Sequence, residues 1–116
     1  MKYITNEDLI DKQKLFWDED LAHPKDKISH NVEYLSRSDI SLEESLLKSY
    51  EDKENQEIIQ NLKDVLSQGN PLPPLLVDNG NFLLDGYHRL LAAESLGIKS
   101  FPVIKLNRNS KIYPDD

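Results

Sequence analysis

The amino-acid sequence predicts an α+β domain with a small mixed β-sheet, in which a mainly helical N-terminal part (residues 1–69) precedes a β-hairpin–helix–strand unit (residues 70–106). Three observations carry that reading. Residues 73–106, PPLLVDNGNFLLDGYHRLLAAESLGIKSFPVIKL, alternate β-compatible apolar runs with one helix-forming run. Asn79-Gly80 stands between two of the apolar runs, the strongest short-range hairpin signal. Ile58, Ile59, Leu62, Val65 and Leu66 recur at helical spacing, the strongest amphipathic stripe in the chain.

Each element follows from local chemistry. Thr5 to Phe16 is predicted as a helix, with Thr5 and Asp8 at N-cap and N3 spacing and Ile4 with Leu9 as a hydrophobic staple. Trp17, the one tryptophan, is expected to pack in the core or at its edge. Asp18 to Asn31 is polar and aperiodic, a loop in which Asp18, Glu19, Asp20 and Asp26 are available as carboxylates and nothing selects among them. Val32 to Leu35 suits a short strand or a turn. Ser41 to Glu44 fits a capping box, so a second helix carrying Leu42, Leu46, Leu47 and Tyr50 is expected from Ser41. Glu51 to Glu57 is a charged break or continuation before the Ile58–Leu66 stripe, and Gly69-Asn70-Pro71 ends that helix. Strands are expected at Leu75–Val77 and Phe82–Leu84 around a two-residue type I′ turn. A helix should begin at or just after Gly86 and stop at Gly97, and a strand should run from Phe101 to Leu106. Asn107 to Asp116 reads as a polar tail.

Composition excludes several function classes. The chain has 116 residues, enough for one domain with a real core. No apolar run reaches the ~20 residues that span a bilayer, and the first residues lack the apolar block of a signal peptide. There is no cysteine, so a disulfide framework and a thiolate metal site are excluded. A soluble cytoplasmic protein is the expectation. His23 and His30 lack ligand partners at metal spacing, and no metal site is predicted. The net charge of −7 opposes nonspecific nucleic-acid binding. Residues 1–85 carry 9 basic and 18 acidic groups, whereas residues 86–116 carry 5 and 3. The small basic excess (Arg89, Lys99, Lys105, Arg108, Lys111) thus falls on the last third.

The chemistry-bearing stretch is Asp85-Gly86-Tyr87-His88-Arg89, where the hairpin feeds a helix. Unpaired N–H groups and the positive dipole end face this point, a glycine leaves room for a ligand, and His88 and Arg89 add donors. An Arg guanidinium matches phosphate oxygens in a bidentate fork. Gly86, Tyr87, His88 and Arg89 are therefore the candidate phosphate-binding residues. Asp85 is a candidate N-cap, an orienting partner for Arg89 or His88, or a contact to a ribose hydroxyl or a cation. Against these stand a turn-required Gly86, a surface Arg89 paired to an acid, and a Tyr87 that only packs.

In its order of elements this stretch resembles the ParB/sulfiredoxin superfamily, also called the ParB-like nuclease domain. Pro-Pro-Leu-Leu-Val, Asn-Gly, Leu-Leu-Asp-Gly-Tyr-His-Arg-Leu-Leu-Ala-Ala, Leu-Gly-Ile and Pro-Val-Ile carry the likeness, over roughly the last third of the chain. The resemblance implies a stand-alone domain of that fold and phosphate contacts at Gly86, His88 and Arg89. Sulfiredoxins place their catalytic cysteine where Tyr87 stands, so sulfinic acid repair is excluded here. CTP-using partition proteins continue into further domains for which 116 residues leave no room. What the resemblance implies is a nucleotide- or phosphate-binding protein, with ATP or CTP and Mg²⁺ as the expected cofactors. Small-molecule phosphotransfer or nucleotide hydrolysis is the expected chemistry, with no catalytic residue assigned. The alternative is a non-catalytic acidic interaction protein, antitoxin- or immunity-like, that docks a basic partner protein. A nuclease ranks third.

Overall fold

In a computed structural model, which describes residues 1–22 and 26–107, the sheet is clamped between one helix on one face and two on the other. Along the chain run α1 (Glu7–Asp20), β1 (Lys27–Ile28), β2 (Glu33–Ser36), two 3-10 segments (Arg37–Asp39 and Glu44–Glu51) and α2 (Lys53–Ser67). They are followed by β3 (Leu75–Val77), β4 (Leu83–Asp85), α3 (Tyr87–Ser95) and β5 (Ser100–Asn107).

β5 is the hub of the sheet. It pairs parallel with β3, and β3 pairs antiparallel with β4. Along its other edge β2 and then β1 pair antiparallel in series, with Glu33 opposite Val103 and Ile28 opposite Leu106. A strand covered on both faces should be a continuous apolar run, and Phe101 to Ile104 is buried throughout. Pro102 lies one residue before the pairing with β3 begins at Val103, a position near the strand's start where a missing N–H is tolerated.

Alternation along the strands divides the core. Leu75, Val77, Leu83, Phe101 and Val103 face α2 and α3, meeting Ile59, Leu66, Leu90 and Ala93. Leu76, Ile104 and Leu106 face the opposite way, against Trp17 of α1. Trp17 is fully buried, so it is a core residue, as its sequence context implied.

Several local details differ from the sequence expectation. α1 is capped by Asn6, whose Oδ1 accepts from the Leu9 N–H at 2.9 Å, one residue later than Thr5, and the helix continues to Asp20 through part of the expected loop. The staple pairing of Ile4 with Leu9 falls out of register accordingly. Ser41 does not cap a helix: its N–H donates to the Asn81 carbonyl at 3.0 Å and its carbonyl accepts from Leu83 N–H at 2.7 Å. Those bonds hold Ser41 extended against the hairpin, and the following residues make a 3-10 segment beginning at Glu44. α2 starts at Lys53, because the Asp52 side chain accepts from the Asn55 N–H and caps it. At the hairpin, positive φ falls on Asn81 and not on Asn79 or Gly80. Asp78 explains this, since its Oδ1 accepts from both the Gly80 and Phe82 N–H groups and favours a turn with a left-handed bulge residue. The expectations for His23 and for residues 108–116 lie outside the described residues.

Candidate functional site at the head of α3

β4 delivers Asp85 to the edge of the sheet, and Gly86 reverses the chain into α3. Gly86 has φ 105°, and a Cβ built on it would stand 2.6 Å from Leu75 Cδ2 and 3.1 Å from an Arg89 guanidinium nitrogen. Folding alone thus demands glycine here: the space it leaves is taken by Leu75 and Arg89. Among the described residues no side chain caps α3. Its first-turn N–H groups, positive by the summed peptide dipoles, are left for other partners.

Arg89 turns inward. Its guanidinium lies 3.5 Å from Asp85 Oδ2, donates to the Pro74 carbonyl at 3.2 Å, and reaches Gln13 of α1 at 3.4 Å. The side chain is only 15 % exposed. Asp85 is fixed from the opposite side by the Trp17 indole, whose Nε1 donates to Oδ2 at 2.8 Å. Asp85 therefore serves as the orienting partner of Arg89, and its side chain makes no cap bond. Tyr3 closes the inner side of this cluster, donating its hydroxyl proton to the Pro73 carbonyl. Burial pushes the Tyr3 phenol well above its ordinary value, and the nearby Arg89 charge only partly offsets that.

His88 faces the 3-10 segment and α2. Its Nε2 is 2.7 Å from Asn55 Oδ1. The Asn55 amide nitrogen donates to the Ser49 carbonyl and to Asp52, so Oδ1 is an acceptor and His88 Nε2 must carry the proton. Partial burial, with Arg89 nearby as a second cause, holds the His88 pKa below its ordinary value, which keeps the ring neutral near pH 7. Tyr87 is buried: its hydroxyl oxygen accepts from the Glu43 N–H at 3.0 Å, and its ring stacks on Tyr50 with centroids 5.5 Å apart. Tyr87 packs, then, while Tyr50 and His88 meet edge to face at 4.8 Å.

Together these residues border a cleft of about 600 Å³, within the range of small-molecule sites. Asp85 to Arg89 line it together with Leu46 and Tyr50 of the 3-10 segment and Ile58 and Leu62 of α2. The carboxylates on α1, Asp18 to Asp20, are exposed and do not line it, and among the described residues Asp85 is its one acidic lining residue. Among the described residues no group of three or more His, Asp or Glu side chains is gathered as a metal site.

Comparison with known proteins follows the same architecture. A ParB-like protein of Sulfolobus acidocaldarius is 39 % identical over 49 residues, 41 % of this chain and 25 % of that relative. Two structures of a pNOB8-like ParB N-domain superpose with TM-scores of 0.56 at 21 % identity, covering 73 % and 78 % of this chain and about a third of theirs. Sulfiredoxin from Arabidopsis thaliana superposes with a TM-score of 0.57 at 19 % identity, over 70 % of this chain and 90 % of its own. The chain has a ParB/sulfiredoxin-like fold. No family model matches the sequence. The matched stretch thus spans about a quarter of the curated relative's length.

The sequence brings Asp85 to Arg89 together trivially, being contiguous. What it does not disclose is the shell around them: Trp17, Gln13 and Tyr3 behind Asp85 and Arg89, and Tyr50 and Asn55 beside His88. Only Trp17 carried a signal, as the one tryptophan, expected to pack in the core or at its edge.

Proposed function

We propose that the cleft at the head of α3 binds a nucleotide or a similar phosphorylated small molecule. One observation carries the proposal: an uncapped helix N-terminus opens into a cleft of small-molecule size whose lining is largely apolar. Phosphate oxygens suit the free N–H groups of the first turn. The flat body of a base suits the apolar lining supplied by Leu46, Ile58 and Leu62. Arg89 contributes as a fixed charge behind the amides, already balanced by Asp85, so peptide dipoles carry most of the attraction. Binding should therefore weaken with salt. ATP or CTP with Mg²⁺ are the first ligands to try, and phosphotransfer or hydrolysis would be a further step for which the cleft offers His88 as its neutral acid/base group.

The test is a thermal shift series with ATP, CTP and inorganic phosphate, each with and without Mg²⁺. A ligand that binds only the folded chain raises the midpoint as its concentration passes Kd. Leu46→Glu places a carboxylate at the mouth on an exposed residue, and should remove the rise while leaving the unliganded midpoint unchanged. No rise with any nucleotide at millimolar concentration, or a rise untouched by Leu46→Glu, would refute the proposal.

A second reading, docking of a basic partner protein, is favoured by α1. Leu15 and Phe16 stand exposed there, and one helical turn to either side of Leu15 are Asp11, Asp18 and Glu19, with Lys12 the one basic residue among them. A partner segment with apolar residues flanked by lysine or arginine complements that face. Binding lost on Leu15→Ser/Phe16→Ser and kept in Leu46→Glu would assign it to α1 and not to the cleft.

A further inference from the structure

A second hollow, of about 620 Å³, lies beyond the other end of α3 and shares no lining residue with the first cleft. The nine residues of α3 put the two about 13 Å apart along its axis. The loop Gly97–Ser100 forms one rim, and the chain's first residues and Tyr34 of β2 form the other.

Its electrostatics run against those of the whole molecule. Acidic residues outnumber basic ones 21 to 14 in the chain, yet among the described residues no Asp or Glu lines this hollow, while Lys2 and Lys99 both do. Both lysines are exposed, and neither makes an ion pair among the described residues. The negative end of α3 is closed off, because the Leu96 and Ile98 N–H groups donate to the Ala93 carbonyl and the Gly97 N–H to that of Glu94. An anion here would meet ammonium groups and not bare carbonyls.

The rest of the wall is apolar or aromatic. Ile98 is buried at its floor, Ile4 and Met1 are exposed at its side, and Tyr34 is 58 % exposed, a ring with most of its surface open to a visitor. Tyr3 offers no hydroxyl, since its proton is donated inward to Pro73. Two ammonium groups on flexible stems set no bidentate geometry, so a carboxylate and a sulfonate are equally suited.

We infer that this hollow is a binding site for a small amphipathic anion, a flat apolar body bearing one carboxylate or sulfonate. The site is independent of the nucleotide proposal. Lys2 and Lys99 select the charge, and Tyr34, Ile4 and Ile98 cover the ring.

The experiment is a two-dimensional ¹H–¹⁵N NMR titration of the intact chain with naphthalene-2-sulfonate, repeated with 2-naphthylmethylamine, its cationic counterpart. The expected result is a set of saturable amide shifts confined to residues 2–4, Tyr34 and residues 97–100, absent with the amine. The double variant Lys2→Glu/Lys99→Glu, at two exposed sites, should weaken the sulfonate about tenfold or more by replacing attraction with repulsion. No shift at millimolar sulfonate, equal shifts with sulfonate and amine, or shifts centred on Gly86–Arg89 or on Leu15 and Phe16 would each overturn the inference.

Discussion

Gly86→Ala should be the most informative single substitution in this chain, with Gly97→Ala as its control. Both glycines have positive φ, 105° and 79°. An L-residue there costs about 1–2 kcal/mol, and both variants lose a similar amount of unfolded-chain freedom. They differ in their surroundings. An added methyl at Gly97 meets nothing within 4 Å, whereas at Gly86 it meets Leu75 Cδ2 at 2.6 Å. Leu75 is fully buried in the centre of the core and cannot swing away. Overpacking of this kind costs about 1–3 kcal/mol, so Gly86→Ala should lose about 2–5 kcal/mol in all and Gly97→Ala about 1–2. The assay is urea unfolding followed by the emission of buried Trp17. Two variants within about 0.5 kcal/mol of each other, less than the clash is worth, would refute the reasoning. They would mean that Leu75 and Arg89 do not fill the space beside Gly86, and that its positive φ alone calls for glycine.

Asp85→Ala removes the acceptor of the Trp17 indole and the counter-charge of Arg89, and should cost about 1.5–3 kcal/mol in the same urea series. Asp85→Asn should cost less, since the carboxamide oxygen still accepts from Trp17; equal losses would show that the charge and not the hydrogen bond matters. His88 has a folded pKa held below the unfolded value. Its neutral form therefore stabilises the fold above about pH 6.5, and that contribution is lost as pH falls from there through the folded pKa. The drop in melting temperature from pH 7.5 to 5.5 should accordingly be smaller in His88→Gln than in the parent. Tyr3 behaves oppositely in form, its folded pKa being raised. Its contribution is complete below the unfolded pKa of about 10 and is lost as pH rises from there, so Tyr3→Phe should unfold at higher alkaline pH than the parent in an ultraviolet titration.

The sequence disclosed what a window of a few residues can determine. The Ile58–Leu66 stripe, the hairpin around Asn79-Gly80, the start of α3 at Gly86 and the buried run of β5 all rest on neighbours in the chain, and all four stand where expected. Errors arose where a distant segment competed with a local signal. Ser41 has a good capping sequence, but its N–H and carbonyl are claimed by Asn81 and Leu83, and a residue bonded as strand cannot cap a helix. The Thr5 cap lost to Asn6, its immediate neighbour, a difference of one residue that sequence spacing does not resolve. Trp17 and Asp85 are 68 positions apart, and nothing in either neighbourhood announces their hydrogen bond.

That bond alters what Gly86-Tyr87-His88-Arg89 means. Read as a string, the segment offers a guanidinium, an imidazole and a clear backbone approach, all aimed outward. In the fold, Arg89 is held by Asp85, Pro74 and Gln13, His88 by Asn55, and the glycine's spare volume is occupied. The side chains thus stabilise the junction between hairpin and helix first. What they leave open is the row of N–H groups they flank. A ligand site built this way has its donors fixed before anything binds and needs no side chain to reorganise, which lowers the ordering cost of holding an anion there. Displacing Asp85 from Arg89 would free a second, stronger contact, and it would also strip the Trp17 indole of its acceptor. A tryptophan emission change on saturation with nucleotide would mark that displacement, and its absence alongside a thermal shift would confine the ligand to the amides.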